Sequence, residues 1–142
     1  MSTEVIKQRA GPNHEVVTTT LPAGHAYRKK PCAKCPWKIS ATGEFPAEAF
    51  RISANTSYDM GTHIFACHKS GTEKPTACAG FLLHGSVHNL TVRIGRIQGN
   101  YLDGLSDGGH PMHGSYRAMA IANGVDKDDP VLARCRGLVV PA

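Results

Sequence analysis

Four of the five cysteines in the sequence lie in three short segments. Cys32 and Cys35 form a Cys-x-x-Cys pair flanked by prolines, and Cys67 and Cys78 follow further along the chain. Two thiolates separated by two residues can bind one metal ion from a single turn, and a second pair from elsewhere can complete a tetrahedron. The spacing therefore predicts one metal site with these four cysteines as ligands.

Zinc is the favoured ion, because it takes four thiolate or imidazole ligands in a tetrahedron. A four-cysteine set also suits an iron–sulfur cluster, and Pro36 directly after Cys35 is typical of cluster-binding loops. The cluster ranks second because its ligands often occur in denser runs. A redox-active Cys32–Cys35 pair ranks third, since no βαβ pattern surrounds the motif. The alternative to any site is that some of these cysteines pack as small apolar side chains.

Histidines add two further candidates. His68 follows Cys67 directly, and could replace one sulfur as a metal ligand or donate a hydrogen bond to a ligand. His110 and His113 lie in a loop rich in Gly and Asp, which makes a metal-dependent hydrolase or nuclease a weaker alternative. A zinc ion with four cysteine ligands has no open position for a substrate, so the default prediction is a structural ion and no catalytic residue.

Residues 28–38 carry five basic side chains and no acidic one, namely Arg28, Lys29, Lys30, Lys34 and Lys38. Such a cluster could contact the phosphates of a nucleic acid, with Trp37 as a stacking face. The simpler interpretation is a solvated rim, with Trp37 covering the metal as part of the core. The net charge of +5 permits an anionic partner without requiring one.

The elements that must position these residues follow from periodicity and turn signals. We predict a strand over 14–21, a helix from Pro46 through Ser53, and a strand over 62–67 that delivers Cys67. One amphipathic helix is predicted over 79–98, a second over 116–123 with Ser115 as its cap, and a short last helix over 128–135. Residues 1–12 are predicted to be disordered.

The length of 142 residues predicts a single domain. The chain holds 15 Gly and 9 Pro, with only 6% aromatic residues, which predicts a loop-rich α+β fold with more helix than sheet and a metal staple. The sequence shows no apolar run long enough to span a bilayer and no signal peptide, so we expect a cytoplasmic protein with reduced thiols.

The order of the cysteine motifs resembles an uncharacterised family of small phage and bacterial proteins. The similar segments are Pro31–Lys38, Phe65–Ser70 and Cys78–Leu82, with Asn89 and Arg93 extending them, so the resemblance covers roughly the middle half of the chain. The resemblance implies a shared metal site at the four cysteines and a viral source, but no activity. The leading hypothesis is therefore a non-enzymatic binding module that contacts nucleic acid or a host protein, and an iron–sulfur or thiol redox protein is the alternative.

Overall fold

The computed structural model describes residues 5–12, 14–20, 26–67 and 75–135. Three antiparallel strands form a sheet in the order β1 (Val5–Gly11), β2 (His14–Thr19) and β3 (Ile64–Phe65). The predicted strand at 14–21 is confirmed over β2, where β-branched residues predominate. The disorder predicted for residues 1–12 was wrong for β1. That strand is held by its backbone pairing with β2 and leaves its central side chains exposed, so it carries little apolar signal.

Four α-helices occur within the described residues: α1 (Ala47–Ser53), α2 (Ala79–His84), α3 (Leu90–Ile97) and α4 (Tyr116–Ala122). Two of them confirm their predictions. α1 begins after Pro46, and α4 is capped by the Ser115 hydroxyl, which accepts a bond of 3.1 Å from the amide of Ala118. Together with the sheet, these helices confirm a small mixed α+β domain.

The single helix predicted over 79–98 was wrong, because the structure divides it into α2 and α3. A Cβ at Gly85 would collide with the ring of Trp37, so the chain passes closely over that ring and leaves the helix there. The buried Asn89 then starts α3, with its side chain accepting the amide of Val92 at 3.0 Å. A distant aromatic ring and a local cap together override the continuous apolar pattern.

Two predicted elements are shorter than expected. Only Ile64–Phe65 of the strand predicted over 62–67 pairs with β2. The last predicted helix is reduced to one turn of 3-10 helix, Pro130–Leu132, in which the amide of Val131 donates to the carboxylate of Asp129. Further single turns of 3-10 helix cover Ile39–Ala41 and Ala54–Ser57. None of the helices in the described part of the chain has the length and apolar character that crossing a membrane requires.

The core is built around Trp37, whose side chain is completely buried. Its ring meets the rings of Phe65 and Tyr116 edge-on, with centroids 6.0 and 5.8 Å away. Phe65 in turn stacks on Phe81 of α2, with ring centroids 6.3 Å apart. Trp37 is therefore a core residue, and its ring is not available to stack on the bases of a nucleic acid.

Candidate metal centre

The Cys-x-x-Cys pair sits on two successive tight turns. The amide of Cys35 donates to the carbonyl of Cys32 at 3.2 Å, and the amide of Lys38 donates to the carbonyl of Cys35 at 3.1 Å. The ammonium group of Lys38 lies 3.5 Å from the carbonyl oxygen of Ala33, inside the first turn. These contacts fix both cysteines on one compact loop.

Cys67 and Cys78 are held side by side by antiparallel pairing of their segments. Ala66 and Ala77 form the bridge between the two segments. The amide of Cys67 donates to the carbonyl of Thr76 at 2.6 Å, and the amide of Cys78 donates to the carbonyl of Phe65 at 2.9 Å. The second pair of cysteines is therefore also fixed by its backbone, through residues distant in the sequence.

Ala77 also joins this pair to the chain that leads into the Cys-x-x-Cys loop. Its amide donates to the carbonyl of Ala26 and its carbonyl accepts from the amide of Arg28, both at 3.0 Å. Three segments thus meet immediately before Cys78, and the four cysteines are brought to the same place.

All four cysteines are buried, and their sulfur atoms form a connected group. The sulfur atoms of Cys35 and Cys78 are 3.7 Å apart. Two sulfurs bound to one tetrahedral zinc ion lie about 3.8 Å apart, given bonds of about 2.3 Å. Cys32 lies close enough to Cys35 and Cys67 for both thiols to lower its pKa. Cys32 therefore links Cys67 to the pair formed by Cys35 and Cys78.

Protons are shared unequally within this group. Hydrogen bonds from Cys35 and Cys67 lower the pKa of Cys32 to about 2, and a hydrogen bond from Cys35 lowers the pKa of Cys78. The pKa of Cys35 is raised, because its proton serves both neighbours. The group therefore favours thiolates at Cys32 and Cys78, and the thiolate is the form that binds metal.

Backbone amides are directed at three of the four sulfurs. The amide of Lys34 acts to lower the pKa of Cys32, the amide of Trp37 that of Cys35, and the amides of Gly80 and Phe81, at the start of α2, that of Cys78. An amide that donates to sulfur stabilises its negative charge, which is the requirement of a metal-bound thiolate. The sequence predicted the cysteines but not these amide donors. The one sign of the donors in the sequence was Gly80, two residues after Cys78.

The donor set fits a thiophilic ion, because four buried sulfurs suit zinc or iron and not magnesium or calcium. Within the described residues, however, no three or more Cys, His, Asp or Glu side chains meet the geometry of a ready metal site. An ion bound by all four cysteines would draw the sulfurs closer to one point than they lie here. His68, the further candidate ligand, lies outside the described residues.

The fifth cysteine and the histidine loop are not part of this centre. Cys135 is buried, its thiol lies 3.6 Å from the carbonyl oxygen of Ala54, and burial raises its pKa to about 11. His113 is buried with its Nε2 3.2 Å from the hydroxyl of Thr42, whereas His110 is exposed. The two histidines therefore do not form a common ligand pair.

The basic residues divide into two groups. Four of them are exposed beside the cysteine loop: Arg28, Lys29, Lys30 and Lys34. Lys38 is only 6% exposed, and so differs from the others in being held within the loop. Lys29 lies 4.0 Å from the carboxylate of Asp103, with both side chains well exposed. The accessible basic surface therefore contains four of the five predicted basic residues, because Lys38 is buried.

Comparison with known proteins identifies a family without a known activity. The model of a family of unknown function, DUF6283, matches residues 27–136. The match includes all four clustered cysteines and extends beyond the middle half of the chain, through α4 and past Cys135. No curated protein and no solved structure matches the chain.

Proposed function

The chain belongs to a family of unknown function, DUF6283, and we propose from its own residues that it is a metal-binding domain with one structural zinc ion. Cys32, Cys35, Cys67 and Cys78 would hold the ion. The observation that carries the proposal is the pair Cys35–Cys78, which is buried with its sulfurs at 3.7 Å although the residues are 43 positions apart. That separation matches two ligands of a single tetrahedral ion.

The distance between the sulfurs of Cys35 and Cys78 also helps to rank the alternatives to a zinc site. A four-iron cluster binds each cysteine to a different iron, and so requires its sulfurs to lie further apart than two ligands of one ion. A two-iron cluster, in which two cysteines share one iron, is compatible with the spacing and is the second candidate. A thiol redox pair at Cys32 and Cys35 is the third, because a reactive thiol must be accessible and both are buried.

A structural ion of this kind acts through folding. The binding free energy of zinc to four cysteines is comparable with the whole stability of a small domain. With four protein ligands the ion offers no position to a substrate, so the proposed role is to hold a rigid, non-enzymatic binding module together. Reduced thiols are needed for loading, so we also propose that the protein resides in the cytoplasm.

On this scaffold, we propose that the exposed residues Arg28, Lys29, Lys30 and Lys34 contact nucleic acid. They lie beside the cysteine loop. The turn between Cys32 and Cys35 fixes the backbone at Lys34, and backbone bonds to Ala77 and Ser106 fix it at Arg28 and Lys29. Cations at fixed positions bind phosphates through charge and release of counterions. Because Trp37 is buried, the proposed contact is to the backbone and not to the bases.

The metal is tested by elemental analysis and an absorbance spectrum of protein purified without oxygen. We expect one equivalent of zinc and no visible absorbance. Cys35→Ser should lose the zinc, whereas the matched change Cys135→Ser, at a buried cysteine outside the cluster, should retain it. Iron together with sulfide would favour the second candidate, the two-iron cluster, over zinc. Protein that contains neither zinc nor iron would refute the metal centre.

The nucleic-acid surface is tested by the salt dependence of binding to a duplex. If all four cations contact phosphates, log K should fall with log salt with a slope of about −3 to −4. Changing Lys29, Lys30 and Lys34 to Ala should remove most of that slope, and Lys127→Ala, at an exposed lysine elsewhere, should leave it unchanged. Failure to bind at low salt would exclude nucleic acid and direct attention to a protein partner.

A further inference from the structure

A pocket of about 130 Å³ lies between the sheet and α1, separate from the basic surface. Its walls include three aromatic rings, Phe45, Phe50 and Phe65, together with Val16 and Pro36. Cys67 also lines it, and is the only clustered cysteine to do so. An apolar cavity of about 150 Å³ holds one benzene molecule, so the pocket has the size of a single six-membered ring.

The sheet determines which polar groups face the pocket. Successive side chains of a strand point to opposite faces, and the ring of His14 contacts Phe45 with centroids 6.0 Å apart. His14 and Val16 therefore share one face of β2, and Glu15, which also lines the pocket, is exposed to solvent. Among the described residues that line the pocket, Glu15 is the one Asp, Glu, Lys or Arg, and the buried residues of the wall, such as Phe50 and Ser53, include none.

The buried polar side chain of the wall, that of Ser53, is already engaged. The hydroxyl of Ser53 lies 2.8 Å from the carbonyl of Ala49 and 2.6 Å from the hydroxyl of Tyr116, which itself donates to the carbonyl of Phe50. A charged group placed against the buried part of the wall would lose its hydration without gaining a partner, since burying an unpaired charge is costly. A neutral ring would instead gain contact with three aromatic side chains and with Cys67.

We propose that this pocket is a binding site for a neutral, mainly apolar molecule of about one six-membered ring. The inference rests on the walls of the pocket and not on the identity of the metal. Because Cys67 lines the pocket, the bound ring would lie against one proposed metal ligand.

The test is a titration of the purified, metal-loaded protein, followed by the amide NMR signals of β2, α1 and Phe65. Toluene and benzyl alcohol are the neutral probes, and benzylammonium and benzoate are their charged counterparts. We expect saturable shifts with the neutral probes, and binding of the charged probes at least tenfold weaker. Naphthalene should bind at least tenfold more weakly than toluene, because two fused rings exceed the pocket.

Ala49→Leu fills the pocket from α1, and Ala122→Leu makes the same change at an exposed position of α4. The first should weaken toluene binding at least tenfold, and the second should not change it. If Ala49→Leu does not fold, the wild-type comparison of toluene with naphthalene decides. Absence of toluene binding, equal binding of charged probes, or full binding by folded Ala49→Leu would each overturn the proposal, whatever metal the protein contains.

Discussion

Gly80 and Trp37 are packed so closely that a Cβ on Gly80 would lie 2.5 Å from the Cβ of Trp37. This approach sets the first turn of α2 directly against the loop that carries Cys32 and Cys35. The amides of Gly80 and Phe81 can then point at the sulfur of Cys78. The absence of a side chain at position 80 is thus a condition for the geometry of the cysteine group.

Gly80→Ala should therefore destabilise the protein. In an exposed helix this change would stabilise by up to about 1 kcal/mol, but here the added methyl must displace a buried ring. We expect the free energy of unfolding to fall by about 1–3 kcal/mol, measured in urea. Gly114→Ala, where nothing lies within 4 Å of the added Cβ, should change it by less than about 0.5 kcal/mol. Equal effects of the two changes would contradict the packing argument.

Removal of the proposed zinc ion should be visible in the fluorescence of Trp37, the only tryptophan of the chain. In the folded structure its ring is completely buried. A chelator that strips zinc should unfold this region, shift the emission to longer wavelength and abolish cooperative thermal melting. Re-addition of zinc should restore both signals. Melting and emission that are indifferent to the chelator would show that the ion does not maintain the fold.

Cys135 should make the stability depend on alkaline pH. Burial raises the pKa of its thiol from 9.0 to about 11. Between these values the unfolded chain releases a proton that the folded chain retains, so stability is present below pH 9 and is lost as pH rises toward 11. The stability difference between wild type and Cys135→Ala should therefore shift by about 2–3 kcal/mol against wild type from pH 8 to 11. If the curves of unfolding free energy against pH are parallel for wild type and Cys135→Ala, the thiol of Cys135 does not cause the loss of stability.

Asn89 should contribute more to the free energy of unfolding than an ordinary helix cap does. Besides accepting the amide of Val92, its side chain donates to the buried carbonyls of Thr56 and His63 at 2.9 and 2.7 Å. Asn89→Ala should cost about 2–4 kcal/mol of unfolding free energy, because it removes the cap and leaves carbonyls without donors. Ser115→Ala removes a comparable cap alone and should cost about 1 kcal/mol. Similar losses for the two variants would mean that the carbonyl contacts contribute nothing.

The features that the sequence predicted well are those with local causes. Pro46 and Ser115 start α1 and α4 where expected, because a fixed φ angle and a capping hydroxyl act within one turn. The convergence of Cys32 with Cys35 is likewise a property of their spacing, and the fold brings Cys67 and Cys78 to them. Whether an ion binds there stays a prediction.

The features that the sequence did not predict depend on contacts between distant positions. Gly85 ends α2 because the ring of Trp37 lies beneath it, and nothing near Gly85 in the sequence indicates this. β1 depends on pairing with β2 and has no apolar pattern of its own. Lysine side chains are usually exposed at the protein surface, yet the fold of its own loop buries Lys38.

The arrangement of the cysteines also has a consequence for the kinetics of folding. Cys32 and Cys35 are neighbours before any folding, whereas contact between Cys35 and Cys78 must close a loop of 43 positions. The entropy lost in closing a loop grows with its length, so the local pair captures an ion first and the distant pair joins later. Zinc would then act as a nucleus, and the refolding rate of the stripped chain should rise with zinc concentration until the closure of the long loop becomes limiting.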